Sequence, residues 1–224
     1  MRPEFLPDRI ELETAGEPTH ALIWLHGLGA DGSDFVPVID ELGLPAGTAL
    51  RCIFPHAPLR PVSCNGGYVM RAWYDILSLS PQERRIDNAG LLESCATVEA
   101  LIAREAERGI PAARIVLAGF SQGGAVAYTA ALRRPEAVAG VVALSTYIPS
   151  PGLLTCLAQH AALPVFAAHG DEDEVVSPAL GRAARDCLEA GGLRPAWHTY
   201  PMGHQVCLPE LRDLGNWLTA LLRG

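Results

Sequence analysis

A serine between two glycines is the part of this chain whose residue types and spacing best suit covalent chemistry. Ser121 lies in the run Gly119-Phe120-Ser121-Gln122-Gly123, which follows a strand-like run and precedes a helix-like run. A serine on so sharp a strand-to-helix turn is held in a strained backbone conformation, and the glycines let neighbouring backbone pass closely. Its hydroxyl then points toward solvent and substrate. The pattern predicts a nucleophile that attacks a carbonyl carbon.

A serine nucleophile needs a base to take its proton and an acid to orient that base. His204 follows the last predicted strand on a glycine-containing loop, which makes it the candidate base. Its rival, His198, lies within a strand pattern rather than after it. The candidate acids are Asp171 and Asp173, which follow the preceding strand and which spacing alone does not separate. Together these residue types predict a Ser-His-Asp triad.

Two backbone N–H groups are expected to stabilise the oxyanion that forms in such a reaction. One belongs to the residue after the nucleophile, Gln122. The other comes from a loop after an early strand, and we predict that it is the N–H of Leu28, in His26-Gly27-Leu28-Gly29. Residues 27–32 also fit a dinucleotide-binding turn, but that motif needs an acidic residue about 20 positions on. The chain has Phe54-Pro55-His56 there instead.

The elements that must hold these residues alternate between strand and helix. Strands are predicted over residues 21–25, 50–54, 114–118, 138–144, 164–168 and 196–200. Helices are predicted over residues 33–42, 88–108, 124–133, 178–190 and 209–222, with a long loop reaching residue 74. Continuously apolar strands are typical of a mostly parallel sheet covered by helices on both faces. Ligands bind beyond the carboxyl ends of such strands, where all the candidates lie.

Length and composition limit the organisation and the partners. The 224 residues, 49% of them hydrophobic, fit a single domain over residues 1–224. The formal charge of -8 argues against a nucleic-acid partner. Six cysteines without a C-x-x-C pair favour free thiols in a reducing compartment. Because no signal-peptide pattern and no long apolar run is present, we expect a soluble cytoplasmic protein without stable membrane insertion.

Blocks through nearly the whole chain resemble the phospholipase/carboxylesterase family of α/β-hydrolases, which includes small carboxylesterases and acyl-protein thioesterases. The blocks are His26-Gly27-Leu28-Gly29, Phe54-Pro55-His56-Ala57-Pro58, Arg60-Pro61-Val62, Asn65-Gly66-Gly67, Ala72-Trp73-Tyr74-Asp75, Gly119-Phe120-Ser121-Gln122-Gly123-Gly124, His169-Gly170 with Asp173 and Val176, and Gly203-His204. Two residues depart from the family pattern: Thr146, where relatives often carry glycine, and Arg71. Both bear on acyl-length preference more than on mechanism.

The resemblance implies an α/β-hydrolase fold with a mostly parallel central sheet, helices on both faces and no large lid. It implies Ser121 as nucleophile, His204 as base and, from the His-Gly-x-x-Asp-x-Val pattern, Asp173 as acid. It also implies Leu28 and Gln122 as oxyanion donors.

The expected activity is hydrolysis of short- to medium-chain carboxylic esters, with thioesters as a further substrate class, through an acyl-enzyme. This mechanism requires neither a metal nor an organic cofactor. Trp73, Tyr74 and Ile76 are predicted to wall the substrate groove, or else to cap the core. The alternatives are an acyl-protein thioesterase, a lysophospholipase or, from another class, a non-catalytic binding protein on the same fold. Apolar residues within 63–79 suit a homodimer contact.

Overall fold

A computed structural model of the chain describes residues 3–79 and 84–223. The strands in these residues are β1 (Glu4–Phe5), β2 (Arg9–Glu13), β3 (His20–Leu25), β4 (Leu50–Pro55), β5 (Leu59–Val62), β6 (Tyr68–Arg71), β7 (Ile76–Leu79), β8 (Arg84–Ile86), β9 (Ile115–Phe120), β10 (Gly140–Leu144), β11 (Val165–Gly170) and β12 (Ala196–Tyr200). The α-helices are α1 (Val38–Glu41), α2 (Asn88–Glu107), α3 (Gln122–Arg133), α4 (Pro178–Ala190) and α5 (Leu208–Leu221).

Eight of the strands form one sheet in the order β1-β2-β4-β3-β9-β10-β11-β12. The six strands β4, β3, β9, β10, β11 and β12 each pair in parallel with their neighbours in this series. At the other edge, β2 pairs antiparallel with β4, and β1 pairs antiparallel with β2. The mostly parallel sheet predicted from the apolar strands is therefore confirmed. The carboxyl ends of β3, β9, β11 and β12 lie along one side of it.

Helices cover both faces of the sheet because successive side chains of each strand point to opposite faces. On β3, Ile23 packs in one apolar cluster with residues of α2, α3 and α4. The next residue, Trp24, packs in a second cluster with residues of α1 and α5. Both side chains are fully buried. The sheet is thus the middle layer of three.

The helix predicted over residues 33–42 is interrupted in the structure. A 3₁₀ turn covers Gly32–Phe35, and α1 begins only after Pro37. Proline has no N–H to donate, so the helical hydrogen bonding is interrupted here although Val36 and Pro37 both keep helical backbone angles. Phe35 and Ile39 are nevertheless both buried.

Three parts of the chain hold strands that we did not predict from the sequence. The long loop contains the antiparallel pair β5–β6, and β7 pairs antiparallel with β8. The edge strand β2 reads Arg-Ile-Glu-Leu-Glu, an alternation of charged and apolar residues that is typical of a strand and was overlooked. Its Glu11 is nevertheless buried, because Arg104 in the last turn of α2 and Arg108 just after that helix donate hydrogen bonds to it.

Among residues 3–79 and 84–223 there is no large lid, and residues of β7 and β8 border the cavity described below. No helix within those same ranges is long and apolar enough to cross a bilayer.

Candidate active site

Ser121 lies between β9 and α3 with a strained backbone, at φ 54° and ψ −119°. A positive φ is rare for a residue with a Cβ, and the elbow depends on close approach of the surrounding chain. A Cβ at Gly119 would lie 2.3 Å from the carbonyl carbon of Gly123. A Cβ at Gly123 would lie 2.2 Å from the carbonyl oxygen of Leu25. Glycine at both positions therefore lets the helix start directly against the strands.

The imidazole of His204 bridges the serine and an aspartate. Its Nε2 lies 2.9 Å from Ser121 Oγ, and its Nδ1 lies 2.7 Å from Asp173 Oδ2. An ionised carboxylate only accepts hydrogen bonds, so Nδ1 carries the hydrogen and Nε2 is free to accept the serine proton. The ring of Phe120 packs 4.8 Å from the imidazole, centroid to centroid. The structure brings all three predicted triad residues together.

The Asp173 carboxylate is fully buried and well supplied with donors. Its Oδ1 accepts hydrogen bonds from the backbone N–H groups of Val175 at 2.9 Å and Val176 at 2.8 Å. Burial raises the pKa of Asp173, but the hydrogen bond and charge of His204, together with the Val176 N–H, hold that pKa below its ordinary value. Asp171 is exposed and does not lie in this arrangement. Of the two aspartates that spacing left open, the one that lies within hydrogen-bonding distance of His204 is Asp173.

His169 supports the loop that carries the aspartate. Its Nε2 lies 2.8 Å from the carbonyl oxygen of Val176 and 3.5 Å from Asp173 Oδ2. Burial lowers the pKa of His169, which favours the neutral ring donating to the Val176 carbonyl. His198, the rival base, instead stacks on Phe166 with ring centroids 4.9 Å apart.

Both predicted oxyanion donors border the same cavity as the serine. Leu28 lies in the loop after β3, and Gln122 is the first residue of α3. The first N–H groups of a helix have no intrahelical acceptor, and the helix dipole makes this end favourable for negative charge. The loop is held from behind by His26, whose Nε2 accepts the Ala57 N–H at 3.0 Å. Burial lowers the pKa of His26 to about 4, so this ring stays neutral.

The cavity beside Ser121 and His204 has a volume of about 460 Å³. That volume is typical of small-molecule sites. Its apolar lining includes Leu28, Phe35, Ile76, Leu79, Phe120 and Tyr147. Asp34 and Arg84 bring charged groups to it.

Of the three residues predicted to wall the groove, the structure places one on the cavity. Ile76 lines it, whereas Trp73 and Tyr74 are absent from its lining among the described residues and are 1% and 0% exposed. Their large apolar surfaces complete the core instead, as the alternative interpretation of these aromatics held. The Tyr74 hydroxyl pairs with that of Tyr147 at 3.0 Å, directly behind the cavity wall.

Sequence reasoning missed a contact of Thr146 with the elbow. The Thr146 hydroxyl donates to the carbonyl oxygen of Ser121 at 2.6 Å, and Thr146 follows β10 by two residues. The rule that site residues follow strands, applied to β10, would have found it.

In residues 3–79 and 84–223, no group of three or more His, Cys, Asp or Glu side chains is arranged to hold a metal ion.

A parallel sheet with a serine elbow and a His-Asp pair beyond its carboxyl ends defines the α/β-hydrolase class. The sequence profile of the phospholipase/carboxylesterase family matches residues 10–222. The chain belongs to this family, as its sequence blocks predicted, and it is a hydrolase.

Relatives and solved structures agree with this assignment. The chain is 36% identical to acyl-protein thioesterase 1 of Neurospora crassa, over 99% of this chain and 92% of that protein. It is 38% identical to acyl-protein thioesterase 1 of Cryptococcus neoformans, over 92% and 93% of the two chains. The crystal structure of acyl-protein thioesterase 2 from Zea mays superposes with a TM-score of 0.84 at 29% identity, covering 96% of this chain and 98% of that one.

Proposed function

We propose that the chain is a serine carboxylesterase that hydrolyses short- to medium-chain carboxylic esters, and thioesters as a further substrate class. The observation that carries the proposal is the continuous hydrogen-bonded line from Ser121 Oγ through His204 to Asp173, with distances of 2.9 and 2.7 Å. This line ends at the apolar cavity. A non-catalytic binding protein would have no use for a buried aspartate aligned with that imidazole.

In the first step, Ser121 Oγ attacks the substrate carbonyl carbon while His204 Nε2 takes the hydroxyl proton. The carbonyl oxygen becomes an oxyanion, which the N–H groups of Leu28 and Gln122 stabilise. Asp173 keeps the imidazolium in place and remains ionised. The bond to the leaving group then breaks, and His204 gives its proton to the departing alkoxide or thiolate. The acyl group is left as an ester on Ser121.

In the second step, water attacks the acyl-enzyme and reverses these roles. His204 Nε2 takes a proton from the water, and the same N–H groups hold the second oxyanion. The Ser121–acyl bond breaks, the proton returns to the serine oxygen, and a carboxylic acid leaves. The chemistry is complete with side chains and backbone alone.

A thioester of an acylated protein is the second candidate substrate. The relatives named acyl-protein thioesterase, at 36% and 38% identity over most of the chain, favour it. The apolar cavity suits a fatty acyl chain whether the leaving group is an alcohol or a thiol, because the acyl half is common to both substrates.

The test is hydrolysis of p-nitrophenyl esters from acetate to palmitate, in parallel with an S-acyl peptide and a lysophospholipid. The wild-type chain is compared with Ser121→Ala. We expect turnover of the esters that the substitution reduces by several orders of magnitude. The ratio of peptide thioester to ester turnover then decides between the two substrates. Ester turnover that survives in Ser121→Ala would refute the mechanism.

We further propose that the protein works in the cytoplasm and forms a homodimer. All six cysteines are free, which suits a reducing compartment.

For the homodimer, the exposed apolar side chains of Tyr68, Val69, Leu77 and Leu79 offer a contact surface between the two copies. Sedimentation velocity over a concentration series should show a dimer that Tyr68→Glu weakens, and an unchanged monomer at every concentration would contradict it.

A further inference from the structure

We propose that Trp73 is a positioning residue that fixes the two arms of the oxyanion site relative to each other. One arm is the loop that carries Leu28, and the other is the start of α3 at Gln122. The inference rests on the proposed function, since it assigns Trp73 a part in stabilising the transition state of acyl transfer.

The first half of this bridge joins Trp73 to Gln122. The Trp73 backbone N–H donates to Gln122 Oε1 at 2.8 Å, and Gln122 Nε2 donates to the Tyr74 carbonyl oxygen at 2.8 Å. Both ends of the side-chain amide are thus bonded to the same short segment, which also fixes the amide orientation. Gln122 is 2% exposed, so water does not compete for these bonds. Residues 73–74 are therefore hydrogen-bonded to Gln122, whose own backbone N–H is the proposed oxyanion donor.

The second half joins Trp73 to the loop after β3. Its indole Nε1–H donates to the carbonyl oxygen of His26 at 2.9 Å, and the two rings lie 5.2 Å apart. His26 Nδ1 in turn lies 2.7 Å from the Gly27 carbonyl oxygen. One residue beyond Leu28, the Gly29 N–H donates to the Arg71 carbonyl oxygen at 2.9 Å. The Leu28 N–H therefore lies between two anchored parts of the loop. On one side His26 accepts from the Trp73 indole, and on the other side Gly29 donates to the Arg71 carbonyl.

Trp73 itself has little freedom. Its carbonyl oxygen accepts the hydroxyl of Ser94 on α2, and the residue is 1% exposed. Its N–H, its carbonyl and its indole N–H are all used. It does not line the cavity, so it acts through the donors and not on the substrate.

Fixing the two arms matters because oxyanion donors act through geometry. They stabilise the transition state only when they are held about 2.7–3.1 Å from the developing oxyanion, and small displacements are costly. The arms follow the neighbouring strands β3 and β9, whose pairing fixes where each arm starts. Beyond the strand ends, the Trp73 segment is a further non-covalent bridge between the two donors.

The test is Trp73→Phe, which keeps an aromatic ring but removes the indole N–H. For p-nitrophenyl butyrate we expect kcat to fall about 10-fold, as loss of one well-placed buried hydrogen bond implies, while KM stays within about twofold. The affinity for n-butylboronic acid, whose tetrahedral serine adduct places a hydroxyl in the oxyanion site, should fall by the same factor. Titration of active sites with a fluorophosphonate corrects each rate for misfolded protein.

Trp24→Phe is the matched control. Trp24 is also fully buried, but its Nε1 has no hydrogen-bond partner among the described residues. We expect its kcat and boronate affinity to stay within twofold of wild type. Gln122→Met removes the other half of the bridge, and the double variant with Trp73→Phe should lose less than the product of the two single losses.

Two outcomes would overturn the inference. One is a Trp73→Phe enzyme whose kcat and boronate affinity are both within twofold of wild type. The other is an equal loss of kcat and boronate affinity in Trp24→Phe, which would mean that the effect comes from core packing and not from the indole hydrogen bond. Ser121→Ala distinguishes failure of the positioning role from failure of the proposed function. If Ser121→Ala is inactive while Trp73→Phe has wild-type kcat and boronate affinity, only the positioning role fails.

Discussion

Ser121 is suited to attack because of how its backbone is held. Two hydrogen bonds maintain the positive φ. The Ser121 N–H donates to the Leu144 carbonyl oxygen at 2.9 Å, and the Thr146 hydroxyl donates to the Ser121 carbonyl oxygen at 2.6 Å. Strain of this kind persists only where the surroundings over-determine it. The GxSxG spacing predicted the elbow, whereas Thr146 lies outside that motif, two residues after β10, where the rule that site residues follow strands points to it.

The acid of the triad gives a direct test at the residue scale. Asp173→Asn should lower kcat about 10³- to 10⁴-fold, because an amide no longer holds the imidazole in the required tautomer. Asp171→Asn, two residues earlier and exposed, is the control and should stay within twofold. Ester hydrolysis at pH 7.5 is the measurement. Similar losses in both variants would mean that the geometry at Asp173 is not what matters.

The elements differ in how far the sequence predicted them. Apolar strands such as β9 and β10 were predicted closely, because both faces are buried and the run of side chains shows it. The edge strand β2 was missed although Ile10 and Leu12 alternate with charged residues, as in a half-buried strand. The sequence does not show that its Glu11 is buried, since the stabilising Arg104 and Arg108 lie far away in sequence. Similarly, the aromatic pair Trp73-Tyr74 fitted a cavity wall and a core equally well.

Helix α5 carries a buried carboxyl group that makes stability depend on pH. Burial raises the pKa of Glu210 from 4.5 to about 8, and its Oε1 has no hydrogen-bond partner in the described part of the chain. The folded state therefore binds this proton more tightly than the unfolded state. The resulting stabilisation is complete below about pH 4.5 and is lost as the pH rises through about 8.

Glu210→Gln should remove that dependence. Between pH 5 and 8 the free energy of unfolding of wild type should fall relative to the variant by as much as about 1.4 kcal/mol per pH unit. Urea unfolding followed by circular dichroism at several pH values measures the difference. Glu107→Gln, at an exposed site on α2, is the control and should leave the profile unchanged. Parallel profiles for wild type and Glu210→Gln would contradict the raised pKa.

At the scale of the whole molecule, the three layers place the site beyond the carboxyl ends of the sheet, over the cavity of about 460 Å³. The alternation of strands and helices predicted this placement. It did not predict the shape of the cavity, because the lining comes from β7, β8 and the loops after other strands. Those segments are far apart in sequence and lie together only in the folded structure.

The cavity should set the acyl length that the enzyme accepts. Ile76 lines it and is 3% exposed, so Ile76→Phe fills part of its volume. We expect kcat/KM for p-nitrophenyl octanoate to fall at least about 10-fold relative to the acetate, with a stability loss of about 1–3 kcal/mol from overpacking. Leu59→Phe, on an exposed site of β5, should leave the ratio unchanged. An unaltered octanoate-to-acetate ratio in Ile76→Phe would place the acyl chain elsewhere.

The most direct test of the central claim, that Ser121 is the nucleophile activated by His204, is covalent labelling with a fluorophosphonate followed by peptide mass spectrometry. We expect one label per chain, on the peptide containing Ser121, with ester hydrolysis lost in step with labelling. His204→Ala should label far more slowly, because the proton acceptor 2.9 Å from the hydroxyl is gone. A label on any other residue, or undiminished hydrolysis by the fully labelled protein, would contradict the assignment.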